Sequence, residues 1–142
     1  MGDDEFVRSV HIDDYDVELG RFQSSCFSVS SDDKGISVFC AACAESSSGS
    51  VCNHLRSKYA SITNSPPIFW QFKRSDLPSS VKLVQKTEND DICHHNIFGL
   101  PDRERRKFVR GCPIDKFQIC APSGLRIATQ EILSKMKNML AI

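Results

Sequence analysis

The stretch FCAACAESSSGSVCNH, residues 39–54, sets three thiols and an imidazole among Ser, Ala and Gly. Eight residues separate Cys40-x2-Cys43 from Cys52-x-His54. Structural zinc takes four sulfur or nitrogen ligands in a tetrahedron at roughly 2.0–2.3 Å. A CxxC turn offers two thiolates, and a second pair at a helix start closes the other half. The connecting Ala-Glu-Ser-Ser-Ser-Gly-Ser has little apolar area to bury, so an ion would fix a loop that packing cannot. The expectation is one structural Zn2+ on Cys40, Cys43, Cys52 and His54. Two other readings use the same residues. The cysteines can be small buried hydrophobes, or Cys40-Ala-Ala-Cys43 can be a redox dithiol. A redox CxxC normally opens a long helix, whereas a Ser/Gly loop is expected here.

A β-hairpin, a Cys–Cys pair, a variable loop, Cys-x-His and a helix together resemble the SWIM zinc finger. The resemblance spans roughly residues 15–62 and implies that Cys40, Cys43, Cys52 and His54 are the ligands. Leu55 would be the apolar residue that packs the helix back. The family's first pair is C-x-C, and this chain has C-x-x-C. The added residue re-aims the first thiolate and makes Cys26, on the facing strand, an alternative to Cys40. SWIM modules occur in transposases, recombination factors and ubiquitin-ligase adaptors, which implies a DNA-binding or protein-binding element.

A second cluster, Cys93-His94-His95 with Cys112 and Cys120, suggests another zinc on Cys93, His95, Cys112 and Cys120. It requires a helix over 101–110 to fold back; otherwise the histidines cap or face solvent and the cysteines are core. On that helix Arg103, Arg106, Lys107 and Arg110 share one side at three- and four-residue spacing. They read as phosphate or partner contacts, or as a solvated face partly offset by Asp102 and Glu104. Phe69, Trp70 and Phe72 suit a core strand better than a base-stacking platform. For catalysis the chain offers thiols with neighbouring histidines, but no glycine-rich phosphate loop, HExxH or GxSxG. No enzyme activity is expected.

The elements that would position these residues follow from period and punctuation. Residues 1–9 are expected to fray. Tyr15, Val17 and Leu19 alternate as a half-buried strand ended by Gly20. Residues 22–30 and 36–40 flank an Asp-Asp-Lys-Gly turn and read as a hairpin. A short helix puts Leu55, Tyr59 and Ile62 on one face, and Pro66-Pro67 follows it. Strands are expected at 68–72 and 81–84, paired around a turn at 74–78, before a polar break at 87–91. Pro101, early acids and Gly111 bound a helix at 101–110. Residues 125–140, with Ile127, Ile132, Leu133, Met136 and Leu140, read as the longest helix.

The chain has 142 residues, 40% hydrophobic and 25% charged, with zero formal net charge. No global basic excess drives phosphate binding, so a nucleic-acid role must rest on a local patch. No apolar run approaches the ~18 residues of a membrane span. MGDDEFVRSV lacks the basic and apolar regions of a secretory signal, and position 6 is Phe where myristoylation wants Ser or Thr. The chain therefore reads as intracellular, nuclear rather than cytoplasmic. Seven cysteines, an odd number, then favour metal or free thiols over disulfides. The expected fold is α+β: a small antiparallel sheet with short helices, zinc-stapled, with a long C-terminal helix. A zinc-finger-like region at 1–64 would precede a second hairpin and helices at 65–142. The expected function is a protein-interaction or adaptor module with a protein partner in a nucleic-acid-handling complex. The alternative is direct DNA or RNA binding through 103–110. Neither a membrane nor a small-molecule substrate is expected.

Overall fold

Glu5-Phe-Val-Arg-Ser-Val10 alternates apolar side chains to both sides, as a strand covered on two faces must. A computed structural model describes residues 4–28, 35–59, 66–85 and 92–140, and places this segment, β1 (Glu5–Val10), at the centre of a sheet. The sheet also contains β4 (Ile36–Cys40), β5 (Ile68–Lys73), β6 (Lys82–Gln85), β7 (His94–Phe98), β8 (Phe117–Ala121) and β9 (Gly124–Ile127). Its order is β6-β7-β4-β1-β5-β8-β9, with every pairing antiparallel. A short ribbon, β2 (Tyr15–Asp16) and β3 (Arg21–Phe22), stands apart from it. The helices are α1 (Ala41–Ser48), α2 (Val51–Tyr59), α3 (Asp102–Arg110) and α4 (Gln130–Leu140). The fold is α+β.

Strand alternation sorts the core into two layers. On the front face Phe6, Val38, Trp70, Phe72 and Phe117 pack under the 11–28 segment, α3 and α4. Phe27 is fully buried there, with its ring centroid 5.3 Å from Trp70 and 5.5 Å from Phe108. Arg8 enters this layer satisfied: its guanidinium donates to the Cys26 carbonyl at 3.1 Å and the Ser37 carbonyl at 2.7 Å. On the rear face Val7, Phe39 and Phe69 lie under α1 and α2, which bury Ala41, Ala44, Val51 and Leu55.

Several expectations are corrected. Residues 5–10 are a central strand, not a frayed end. The 11–19 stretch is no long strand: a 3-10 turn covers Ile12–Asp14, and only Tyr15 and Asp16 pair as a strand. Tyr15 is buried, whereas Val17 and Leu19 are 44% and 60% exposed. Local bonds win there. The Asp13 N–H donates to His11 Nδ1, the Leu19 N–H donates to Asp16 Oδ1, and Gly20 closes the turn at φ +66°. The 22–30/36–40 hairpin does not form either. Ser24–Phe27 is a 3-10 turn, and β4 pairs with β1 and β7. Val29 and the first residues of the expected turn fall in 29–34, outside the described residues.

The supposed Ser/Gly loop is a helix, α1, because alanine favours helix and Gly49 at φ +86° ends it. Strand 82–85 pairs with β7 at the sheet edge, not with β5. The expected break at 87–91, Ile62 and the residues up to 65 also lie outside the described residues. The last helix is shorter than expected. Gly124–Ile127 is β9, and α4 begins only at Gln130, with Leu133 fully buried and Ile132 and Met136 packed on the front core. Strands β1 and β4 sit between β7 and β5, so residues on both sides of position 64 share one sheet. Among the described residues no helix is long and apolar enough to cross a membrane.

Candidate interaction site

Cys40 ends β4 and Cys43 lies one turn into α1, so the CxxC pair straddles the sheet. Cys40 packs against the front core and Cys43 against the rear. Cys43 is disulfide-bonded to Cys93 just before β7, and Cys52 of α2 is bonded to Cys120 of β8. β7 and β8 are four strand spacings apart, about 19 Å at ~4.8 Å per spacing. The helical layer is thus anchored at both flanks.

The expected ligand sets are not brought together. Cys43 and Cys52 belong to different disulfides, and Cys40 faces the other core. The His54 ring lies tilted, with its centroid 4.7 Å from that of Phe39 and its Nδ1 3.0 Å from the Ser48 hydroxyl. Cys26, the alternative to Cys40, is buried in the front layer. Of the second set, Cys93 and Cys120 are in the same two disulfides. His95 meets Phe6 edge-on at 5.2 Å, and Cys112 packs on the front core. The physical reason is proximity set by sheet pairing: the Cys40 N–H donates to the Cys93 carbonyl just before β7, which brings Cys93 beside the first turn of α1, where Cys43 lies. Among the described residues no three His, Cys, Asp or Glu side chains are grouped to hold a metal ion.

Two free thiols of the front layer, Cys26 and Cys112, are quiet ones. Burial pushes Cys26 up to about 12, with the nearby Asp14 carboxylate adding to the rise. Burial likewise lifts Cys112 to about 12, against the pull of Lys116. Both stay protonated near neutrality and are poor nucleophiles.

α3 matches its expected bounds to within a residue. Arg103, Arg106, Lys107 and Arg110 are all exposed along it. Arg105 instead sinks inward and donates to the carbonyls of Ser24 at 2.7 Å and Phe27 at 3.3 Å, pinning the 3-10 turn under the helix. Lys107 also borders a cavity of about 610 Å3 together with Lys73 and Lys116, facing Glu5 and Asp76. Phe69, Trp70 and Phe72 are buried and belong to the core.

Sequence reasoning missed two features. Ser37 Oγ and His94 Nε2 lie 2.6 Å apart across β4 and β7, a pair 57 residues apart that no local motif marks. The other is the β8–β9 hairpin. Ala121-Pro-Ser-Gly124 is a turn signal immediately before the expected helix at 125–140, whose first residues instead form β9. Register sets Leu125 opposite Cys120 and Ile127 opposite Gln118, so both point to the rear face. They are 56% and 61% exposed. Beside them runs a groove of about 460 Å3 between α2 and the sheet, lined by Val51, Cys52, Arg56, Phe69, Gln71 and Gln118 among others. Arg56 ties α2 to the hairpin, donating to the carbonyls of Cys120 at 3.1 Å and Ala121 at 3.3 Å. Among the described strands β9 is an edge, paired only with β8. Comparison with family models, curated proteins and solved structures yields no match.

Proposed function

We propose that this chain is a protein-interaction module that captures an extended segment of a partner by adding it to β9. The carrying observation is the edge itself: all four residues of β9 are exposed, and two are large apolar side chains on one face. Sheet edges are ordinarily guarded by charge, proline or a covering element, because free N–H and C=O groups recruit other strands. An added strand would satisfy that backbone, and its alternate side chains would meet Leu125, Ile127 and the groove. Gln71 and Gln118 offer amides to polar side chains of the partner, and Arg56 favours an acidic flank. A phage-displayed library of random peptides tests this. Peptides with alternating apolar residues should be enriched by the wild type and lost with Ile127→Lys of unchanged circular dichroism. Failure to enrich any peptide, or equal enrichment by the variant, rejects the edge as the site.

The exposed cations of α3 favour a second reading, binding of DNA or RNA. A labelled single-stranded oligonucleotide should bind with an affinity falling steeply with salt, and Arg106→Glu with Arg110→Glu should weaken it. Salt-independent binding removes that option.

A zinc-stapled form of the module would need the bonded cysteines as thiolates. Metal analysis of protein purified under reducing conditions tests it. Disulfides persist in oxidising surroundings and are rare in the nucleus, so compartment turns on how many thiols the native protein carries. Three free thiols by quantitative labelling support an oxidising location, and seven support the nuclear one.

A further inference from the structure

The two staples are unequally placed. Cys93 and Cys120 are both buried and Cys43 and Cys52 both half-buried, so the difference lies in what stands over each bond. The Ser47 hydroxyl sits 3.6 Å from the Cys93 sulfur while donating to the Cys43 carbonyl at 2.8 Å. Cys43–Cys93 is therefore capped by its own helix. Cys52–Cys120 borders the groove: Cys52 is half-buried and lines it, and Cys120 is the register partner of Leu125. One bond thus joins the start of α2 to the strand that carries the β9 edge. With it broken, the bonds from Arg56 to the Cys120 and Ala121 carbonyls remain across that contact.

We propose that Cys52–Cys120 is a thiol-exchange site through which a dithiol reductant opens the groove beside β9, while Cys43–Cys93 keeps α1 seated. The effect on partner capture rests on the edge-strand reading above; the exchange itself does not. A thiolate of the reductant attacks Cys52 Sγ, the sulfur at the groove. An S–S bond forms to the reductant, the Cys52–Cys120 bond breaks, and Cys120 leaves as a thiolate that takes up a proton. The reductant's second thiolate then attacks its own bonded sulfur and releases Cys52, which is protonated in turn. The protein gains two electrons and two protons, and the reductant departs as its disulfide. Freed of the Cys120 sulfur but still held to β8 by Arg56, the first turn of α2 can pivot away from Phe69 and widen the groove.

Titration of the oxidised full chain with dithiothreitol, trapping with iodoacetamide and peptide mass mapping tests the order. Cys52 and Cys120 should be trapped at about tenfold lower reductant than Cys43 and Cys93. Hydrogen exchange should rise in α2 at that first step and stay slow in β1. The double variant Cys43→Ser/Cys93→Ser should keep the early step, and Cys52→Ser/Cys120→Ser should lose it. Reduction of both pairs together, reduction of Cys43–Cys93 first, or unchanged exchange in α2 overturns the proposal. Peptide selection identical in oxidised and half-reduced protein overturns the link to capture. Selection of no peptide by either form defeats the edge-strand reading instead, and the trapping order stands apart from it.

Discussion

Replacing either disulfide by a serine pair should lower stability by an amount set by the loop it closes. Cys43–Cys93 closes 50 residues and Cys52–Cys120 closes 68. Limiting the unfolded chain over loops of that length is worth about 4 kcal/mol each at 25 °C. The two loops interlock, because Cys52 lies inside the first and Cys93 inside the second, so the losses should not add. A domain of this size has roughly 5–15 kcal/mol in all, so one staple is a large share of it. Urea unfolding followed through Trp70 reads the effect. This single tryptophan is buried among Phe27, Phe108 and Phe117, and its emission reports the front layer. The midpoint should fall in Cys43→Ser/Cys93→Ser and in Cys52→Ser/Cys120→Ser. The slope should rise, because an uncrosslinked unfolded chain exposes more surface. A dithiol added to the wild type should reproduce the loss, and a chelator should not. A midpoint that ignores reductant, or one that falls on chelation of freshly purified protein, would refute the disulfide-anchored layer and restore a metal staple.

Three further outcomes follow from burial and bonding. Leu55→Ala, at a fully buried site under α2, should cost about 2–5 kcal/mol, whereas Ile127→Ala on the exposed edge should stay within about 0.5 kcal/mol; paired urea curves decide. Arg105→Ala should lose about 1–3 kcal/mol by orphaning the Ser24 and Phe27 carbonyls, without altering oligonucleotide affinity. Stability should also decline in alkali. Cys26 and Cys112 are raised from 9.0 to about 12, so the unfolded chain ionises first, and their contribution, complete below pH 9, is lost as pH climbs toward 12. The slope is about 1.4 kcal/mol per pH unit for the deeply buried Cys26 and smaller for the more solvent-screened Cys112, and Cys26→Ala should flatten it in denaturation curves taken at successive pH values.

Local signals were legible where the decisive partners lie within one or two turns. Pro101, Asp102, Glu104 and Gly111 bound α3 almost as expected, and Leu55 marked the buried side of α2. The four cations of α3 could be separated from Arg105 by spacing alone. The aromatic run at 68–72 read as a core strand because alternate bulky side chains suit a two-faced sheet. Where two local forces competed, the wrong one was credited. Asp16 and His11 bond their own backbone and break a strand pattern, and alanines carry α1 through a segment that looked like loop.

Residue types and short spacing by themselves determined that this chain has a helix beginning near residue 53 and another over 101–110, a buried strand near 70, and sulfur concentrated around 40–54. Only the tertiary structure decided what each sulfur meets and which strand lies at an edge. Thiols seek any partner brought within reach, and sheet register across 50 and 68 residues of chain did the bringing. The same non-local pairing left Leu125 and Ile127 in the open, because a strand's exposure depends on how many neighbours the sheet supplies and not on the strand's own composition.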